Sequence, residues 1–249
     1  MAMRGKDNAI GRQMKPRRGD ASRPARRCAI IGAMSRQPAP ATPLSASPVR
    51  AILLDYGGVI AEEGFQNGLR ELAAEQGLDV DAIVRQAGDA IYASGFVTGQ
   101  GTAHDFWQRM REETGLRGSD AGLTRRILAG FKLRPWMLDL VRQWREQGRV
   151  TGILSDQTHW LDWLNERDRF FACFDHVFNS YHLGLGKRDP ALYEEIAARL
   201  CLSPGEILFV DDTRTHVERA RAAGWRAIHY VDRADFLARI DAELECPGS

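Results

Sequence analysis

The chain has 249 residues, 44% hydrophobic and 27% charged, enough for one large domain or a core domain with a smaller insertion. No apolar run approaches the roughly 18 residues of a membrane span, and the four cysteines (Cys28, Cys173, Cys201, Cys246) form no C-x-x-C pair, which argues against a zinc site or disulfide framework and fits the reducing cytoplasm. The net charge of +1 hides an asymmetry: residues 1–50 carry 11 Lys/Arg against two Asp/Glu, leaving 23 against 31 in an acidic body that gives no reason to expect a nucleic-acid partner.

Residues 1–48 are rich in Arg, Ala, Pro, Gly and Ser without sustained periodicity. They read as a disordered basic tail, or as sequence upstream of the true start, with Met34 one candidate. The apolar stretch Cys28–Met34 after Arg26-Arg27 is at the short limit for a signal core, so the reading stays cytoplasmic. A chain beginning at Val49 is expected to keep its melting temperature and activity.

The run Ala51-Ile52-Leu53-Leu54 followed by Asp55-Tyr56-Gly57-Gly58 reads as a strand buried on both faces that ends abruptly in a turn. Gly57-Gly58 would let a ligand approach the backbone closely. Residues 61–134 then show only helical spacing: Leu69, Leu72 and Ala73 up to Gly77; Ile83, Val84, Ala87, Ala90 and Ile91; Phe106, Trp107 and Met110 up to Gly115; Leu123, Ile127 and Leu128 up to Gly130. This predicts a small helical cap over 62–134, inserted into a core formed by 49–61 and 135–249. Phe65, Phe96, Phe106 and Trp107 are read as cap core rather than pocket lining.

Beyond Pro135 strands and helices alternate. Strands are predicted at 150–154, 174–178, 207–210 and 227–231. Helices are predicted at 135–147, from Thr158, at 190–200, 217–223 and 233–244. Such alternation implies an α/β fold, a doubly wound, Rossmann-like parallel sheet with right-handed crossovers. Cys173 and Cys201 sit in apolar surroundings and read as buried.

Polar groups stand at three strand ends: Asp55, Ser155 and Asp211-Asp212. Lys187 follows the third strand in the loop Gly184-Leu185-Gly186-Lys187. In a doubly wound sheet all of them converge at one edge. Clustered carboxylates repel and call for a cation, and Mg²⁺ prefers such oxygen ligands. With a hydroxyl and an ammonium alongside, the set suits attack on phosphorus: Asp55 as nucleophile, Ser155 and Lys187 on the phosphoryl oxygens, Mg²⁺ on the developing charge.

From about residue 50 to 244 the chain resembles the haloacid dehalogenase-like hydrolase superfamily. Leu53-Leu54-Asp55-Tyr56-Gly57-Gly58-Val59 matches its first motif, with Asp55 in the nucleophile position. Ile153-Leu154-Ser155-Asp156 matches the second, Gly186-Lys187-Arg188-Asp189-Pro190 the third, and Phe209-Val210-Asp211-Asp212 with Ala220-x-x-x-Gly224 the fourth. The resemblance implies a phosphate site from Gly58, Ser155, Asp156 and Lys187. It also implies a Mg²⁺ site from Asp55, the Gly57 carbonyl, Asp211 and Asp212.

Three positions depart from the pattern. Gly57 stands where most phosphatases of the superfamily have a second Asp that serves as general acid and base. Arg188 replaces the usual Pro, which is expected to matter little, and His216 stands where Asp or Asn is common. Without the second Asp, the leaving group would depart nearly unassisted unless another residue supplies a proton. Glu62, Glu63 and His104 are the nearest candidates, although each reads as a solvated surface residue.

The expectation is a Mg²⁺-dependent phosphomonoesterase, monomer or homodimer, acting on a small phosphate ester such as a sugar phosphate. One alternative is a 2-haloacid dehalogenase, whose first motif also lacks the second Asp but for which the pair Asp211-Asp212 would be odd. Another is a catalytically silent binding protein of the same fold.

Overall fold

The computed structural model describes residues 48–244. Nearly all of the expected basic tail, with Cys28 and Cys246, lies outside them.

The core is a five-stranded sheet in the order β3-β2-β1-β4-β5, parallel throughout. Its strands are β1 (Ala51–Leu54), β2 (Val150–Ser155), β3 (His176–Asn179), β4 (Ile207–Asp211) and β5 (Arg226–His229). Because β1 has no polar alternation, both of its faces are covered. Ile52 and Leu54 enter one apolar layer, with Leu208 and Val210 of β4. Ala51 and Leu53 enter the other, with Ile207 and Phe209.

The first layer is closed by α5 (Pro135–Glu146), α6 (Trp160–Asp168) and α10 (Arg233–Leu244). The second is closed by α8 (Ala191–Leu200) and α9 (Arg214–Ala222). Helices on both faces make the sheet doubly wound, as the alternation predicts.

Four helices lie between β1 and α5: α1 (Gly64–Gln76), α2 (Val80–Ala93), α3 (Ala103–Thr114) and α4 (Asp120–Gly130). Asp79 and Ser119 cap α2 and α4, and Thr102 forms a capping box with Asp105 on α3. Gly77 and Gly115 end α1 and α3 where the sequence places them. α1 packs on α4 and α2, and α2 on α3.

An aromatic seam joins these helices to the core. Trp107 and Trp160 stack with ring centres 6.1 Å apart, and Phe96 meets Trp160 edge-on at 5.3 Å. Phe96, Phe106 and Trp107 are therefore core, as expected, whereas Phe65 borders a cavity.

The structure shifts several boundaries. β3 begins at His176, two residues late, because Phe170–Cys173 form a 3-10 turn and the Asp175 carboxylate accepts the Thr151 N–H at 2.9 Å. A four-residue helix, α7 (Ser180–Leu183), follows β3 unforeseen. α9 starts at Arg214 rather than Val217, since Asp211 Oδ1 accepts the Thr213 N–H at 2.7 Å and turns the chain straight into it. Cys173 is only half-buried and Cys201 is exposed, because Cys201 ends α8 at a left-handed corner (φ 54°). No helix among the described residues is long and apolar enough to cross a membrane.

Candidate active site

The chain builds the sheet outward from β1 through β2 to β3 and then crosses to β4 on the other side of β1, so the switch point lies between β1 and β4 and the carboxyl ends of β1, β2 and β4 border one crevice. Asp55 follows β1 and donates its N–H to the Val210 carbonyl at 2.9 Å. Its Oδ1 receives three donors: the Tyr56 N–H at 2.7 Å, the Ser155 hydroxyl at 2.6 Å and Lys187 Nζ at 2.9 Å. No hydrogen bond among the described residues reaches Oδ2, and Asp55 lines the cavity. One oxygen is thus fixed and the other left for chemistry.

Lys187 has no solvent exposure, and Nζ also reaches Asp211 Oδ2 at 2.6 Å. It lies 5.1 Å from the centre of the Phe209 ring. Burial alone would lower its pKa, but Asp211, Asp55 and Asp156 outweigh that and hold the ammonium charged. Burial pushes the fully buried Asp211 upward, yet Lys187 and His216, whose Nδ1 is 3.2 Å from Oδ2, keep it well below the usual carboxylate range. Asp55 is raised, because burial exceeds its share of the same lysine. Asp212 is pushed up to about 8 by burial and by the charges of Asp55, Glu63 and Asp211.

Asp55, Asp211 and Asp212 each present an oxygen within 4.8 Å of the others. An all-oxygen carboxylate set suits a hard cation such as Mg²⁺ better than a thiophilic one.

The turn after Asp55 closes through the Ala61 N–H to the Tyr56 carbonyl at 2.8 Å. Gly58 takes φ +77°, and a β-carbon there would fall 2.0 Å from Asp212 Oδ2, so only glycine fits. Its carbonyl accepts from Arg134, and Gly58 does not line the cavity: its closeness serves Asp212. Asp156 uses its carboxylate on the Lys187 N–H, at 2.9 and 3.1 Å, and on the Tyr92 hydroxyl.

Glu63 reverses the surface reading. As N-cap of α1 it accepts the Gln66 N–H on Oε1 at 2.8 Å, while a β-carbon at Gly57 would lie 2.8 Å from its Oε2. The carboxyl occupies the space that a side chain at Gly57 would enter. Burial, with the nearby Asp55 charge adding to it, pushes Glu63 up to about 7. Glu62 instead pairs with Arg134 at 2.9 Å, and His104 pairs with Asp120 at 2.9 Å, both outside the cavity.

Arg188 also matters more than expected. Its guanidinium lies 4.1 Å from the centre of the Tyr92 ring and bonds the Gly88 carbonyl at 2.9 Å and Asp89 at 3.2 Å, tying α2 to the loop that carries Lys187.

Asp55, Glu63, Ser155, Lys187, Arg188 and Asp212 are among the residues lining a cavity of about 450 Å³ beneath α1 and α2. A family model of haloacid dehalogenase-like hydrolases matches residues 49–224. The chain belongs to the haloacid dehalogenase-like hydrolases. It is 31% identical over 143 residues to a sesquiterpene phosphatase of Aspergillus oryzae, covering 55% of this chain and 71% of that one. Among solved structures, a family enzyme of Bacteroides thetaiotaomicron, in complex with magnesium and inorganic phosphate, has a TM-score of 0.55 at 20% identity, over 75% of this chain and 95% of that one. The L-2-haloacid dehalogenase RSc1362 has a TM-score of 0.58 at 18% identity, over 76% and 91%. The two structures share the fold and do not separate phosphatase from dehalogenase chemistry.

Proposed function

We propose that this hydrolase is a Mg²⁺-dependent phosphomonoesterase that works through an aspartyl-phosphate on Asp55. The supporting observation is the arrangement of Asp55: Oδ1 is held by three donors, no hydrogen bond among the described residues reaches Oδ2, and the residue lines the cavity and clusters with Asp211 and Asp212. A dehalogenase would have less use for that second pair of acids, which a bound cation would neutralise. The phosphatase-named relative supports the same reading.

Asp55 and Asp212, with the Gly57 carbonyl, would hold the cation; Asp211 belongs to the same cluster and also anchors Lys187 and His216. When bound, Mg²⁺ neutralises phosphoryl charge. Asp55 Oδ2 attacks phosphorus and the P–O bond to the alcohol breaks. Ser155 and Lys187 orient the nucleophile and neutralise charge on the phosphoryl oxygens. Glu63 gives its proton to the departing alkoxide, then takes one from the water that attacks the aspartyl-phosphate, releasing phosphate and regenerating Asp55. The helices over 62–134 act as the cap that covers this chemistry.

Chelation tests the reading: EDTA should abolish phosphate release from p-nitrophenyl phosphate and excess Mg²⁺ should restore it. Chelator-insensitive halide release from a 2-haloacid, without phosphatase activity, would favour the dehalogenase.

Glu63→Gln isolates the proton donor. Rates on simple alkyl phosphates should fall about 10²–10⁴-fold, the usual contribution of a placed general acid, and much less on p-nitrophenyl phosphate, whose leaving group needs no proton. An equal loss on both substrates would remove Glu63 from that role. Gly57→Asp is expected not to substitute for it, because the added side chain would collide with Glu63 Oε2.

A further inference from the structure

The cavity is polar at one end and apolar at the other. The core side presents Thr213, Thr215, His216 and Arg219 around Asp55. The cap side presents Phe65, Val84, Ile91 and Val97. Apart from Glu63, which faces the leaving oxygen, the polar side chains on the cap side are largely taken up. The Tyr92 hydroxyl bonds Asp156, and the Arg188 guanidinium is taken by Asp89, Gly88 and the Tyr92 ring. The Gln66 carbonyl accepts Arg70 at 3.0 Å, which leaves only its amide N–H groups.

In phosphoryl transfer the attacking and leaving oxygens lie roughly in line. With Asp55 on the core side, the alcohol part of the ester must point away from it, toward the cap. A sugar there would bury several hydroxyl groups with few partners left for them, whereas an alkyl group would pack against Phe65, Val84, Ile91 and Val97.

We propose that the substrate is the monophosphate of an apolar alcohol, its chain held by Phe65, Val84, Ile91 and Val97, rather than a polyhydroxylated sugar phosphate. This rests on the phosphatase reading for the direction of the alcohol, and it narrows the expected substrate class away from sugar phosphates.

Calorimetry with n-alkylphosphonates, whose C–P bond the enzyme cannot hydrolyse, tests it in the presence of Mg²⁺. From ethyl- to hexylphosphonate the Kd should fall about threefold to fourfold per methylene, the value of burying one CH₂. Glucose 6-phosphate should bind more weakly than hexylphosphonate. Val84→Thr and Ile91→Thr should flatten the chain-length dependence, weakening hexylphosphonate binding far more than methylphosphonate binding. A Kd independent of chain length, absence of binding, or glucose 6-phosphate binding as tightly as hexylphosphonate would overturn the proposal. Chain-length-dependent binding without phosphate release from hexyl phosphate would support the apolar wall and refute the phosphatase reading alone.

Discussion

Asp55→Asn should reduce kcat by about 10⁴- to 10⁶-fold, the scale on which covalent enzymes lose turnover with their nucleophile. The substitution keeps an oxygen where Tyr56, Ser155 and Lys187 converge, so the hydrogen-bonded turn survives. It replaces Oδ2, the oxygen proposed to attack, with an amide that cannot. The change also removes a carboxylate whose ionisation burial already disfavours, and Lys187 keeps Asp211 as its partner. The melting temperature should therefore stay within a few degrees of the parent. A thermal melt beside a single-turnover assay checks both halves: turnover lost with folding intact fits the account, and retained turnover in verified protein refutes it.

Lys187→Met should be the most damaging change to stability. The ammonium is completely buried between Asp55 and Asp211, and its backbone N–H is pinned by Asp156. Methionine fills similar space but leaves two close carboxylates without their counter-charge. Removing one partner of a buried ion pair typically costs about 3–5 kcal/mol, which in a domain of this size lowers the melting temperature by roughly 10 °C. Activity should disappear as well, since the phosphoryl oxygens lose a cation. Urea denaturation of Lys187→Met, and of the same protein carrying Asp211→Asn, checks the cause. The second change should recover part of the loss by removing the stranded charge, and a purely additive loss would point to packing instead.

The sheet was largely legible because its strands are buried on both faces. Runs such as Ala51–Leu54 and Ile207–Val210 have no polar interruption, and each is followed by an acid at the sheet edge. Asp55, Ser155, Lys187 and Asp211 come together for that reason: parallel strands point their carboxyl ends the same way. Glu63 was not legible. A charged pair after a turn looks solvated, and only the Glu63-x-x-Gln66 spacing, with an acid capping a helix start, signals that the second acid is anchored. Its approach to Gly57 depends on the turn at 55–61 folding back, which Arg134 secures from 75 residues away through the Val59 carbonyl. Arg188 reads as a minor change in the sequence for a similar reason, since its partners Tyr92 and Asp89 lie on a helix inserted far earlier in the chain. β3 slipped because the Asp175 side chain caps the neighbouring strand, a contact that hydrophobic pattern does not encode.

On the proposed mechanism Asp55 carries the phosphoryl group during turnover. Quenching the enzyme in acid during turnover of a ³²P-labelled ester, followed by peptide mapping, tests this most directly. An acid-stable, hydroxylamine-sensitive label is expected on the peptide containing Asp55, and none in Asp55→Asn. Phosphate release accompanied by label on another residue, or by none at Asp55 at quench times shorter than one turnover, would contradict it.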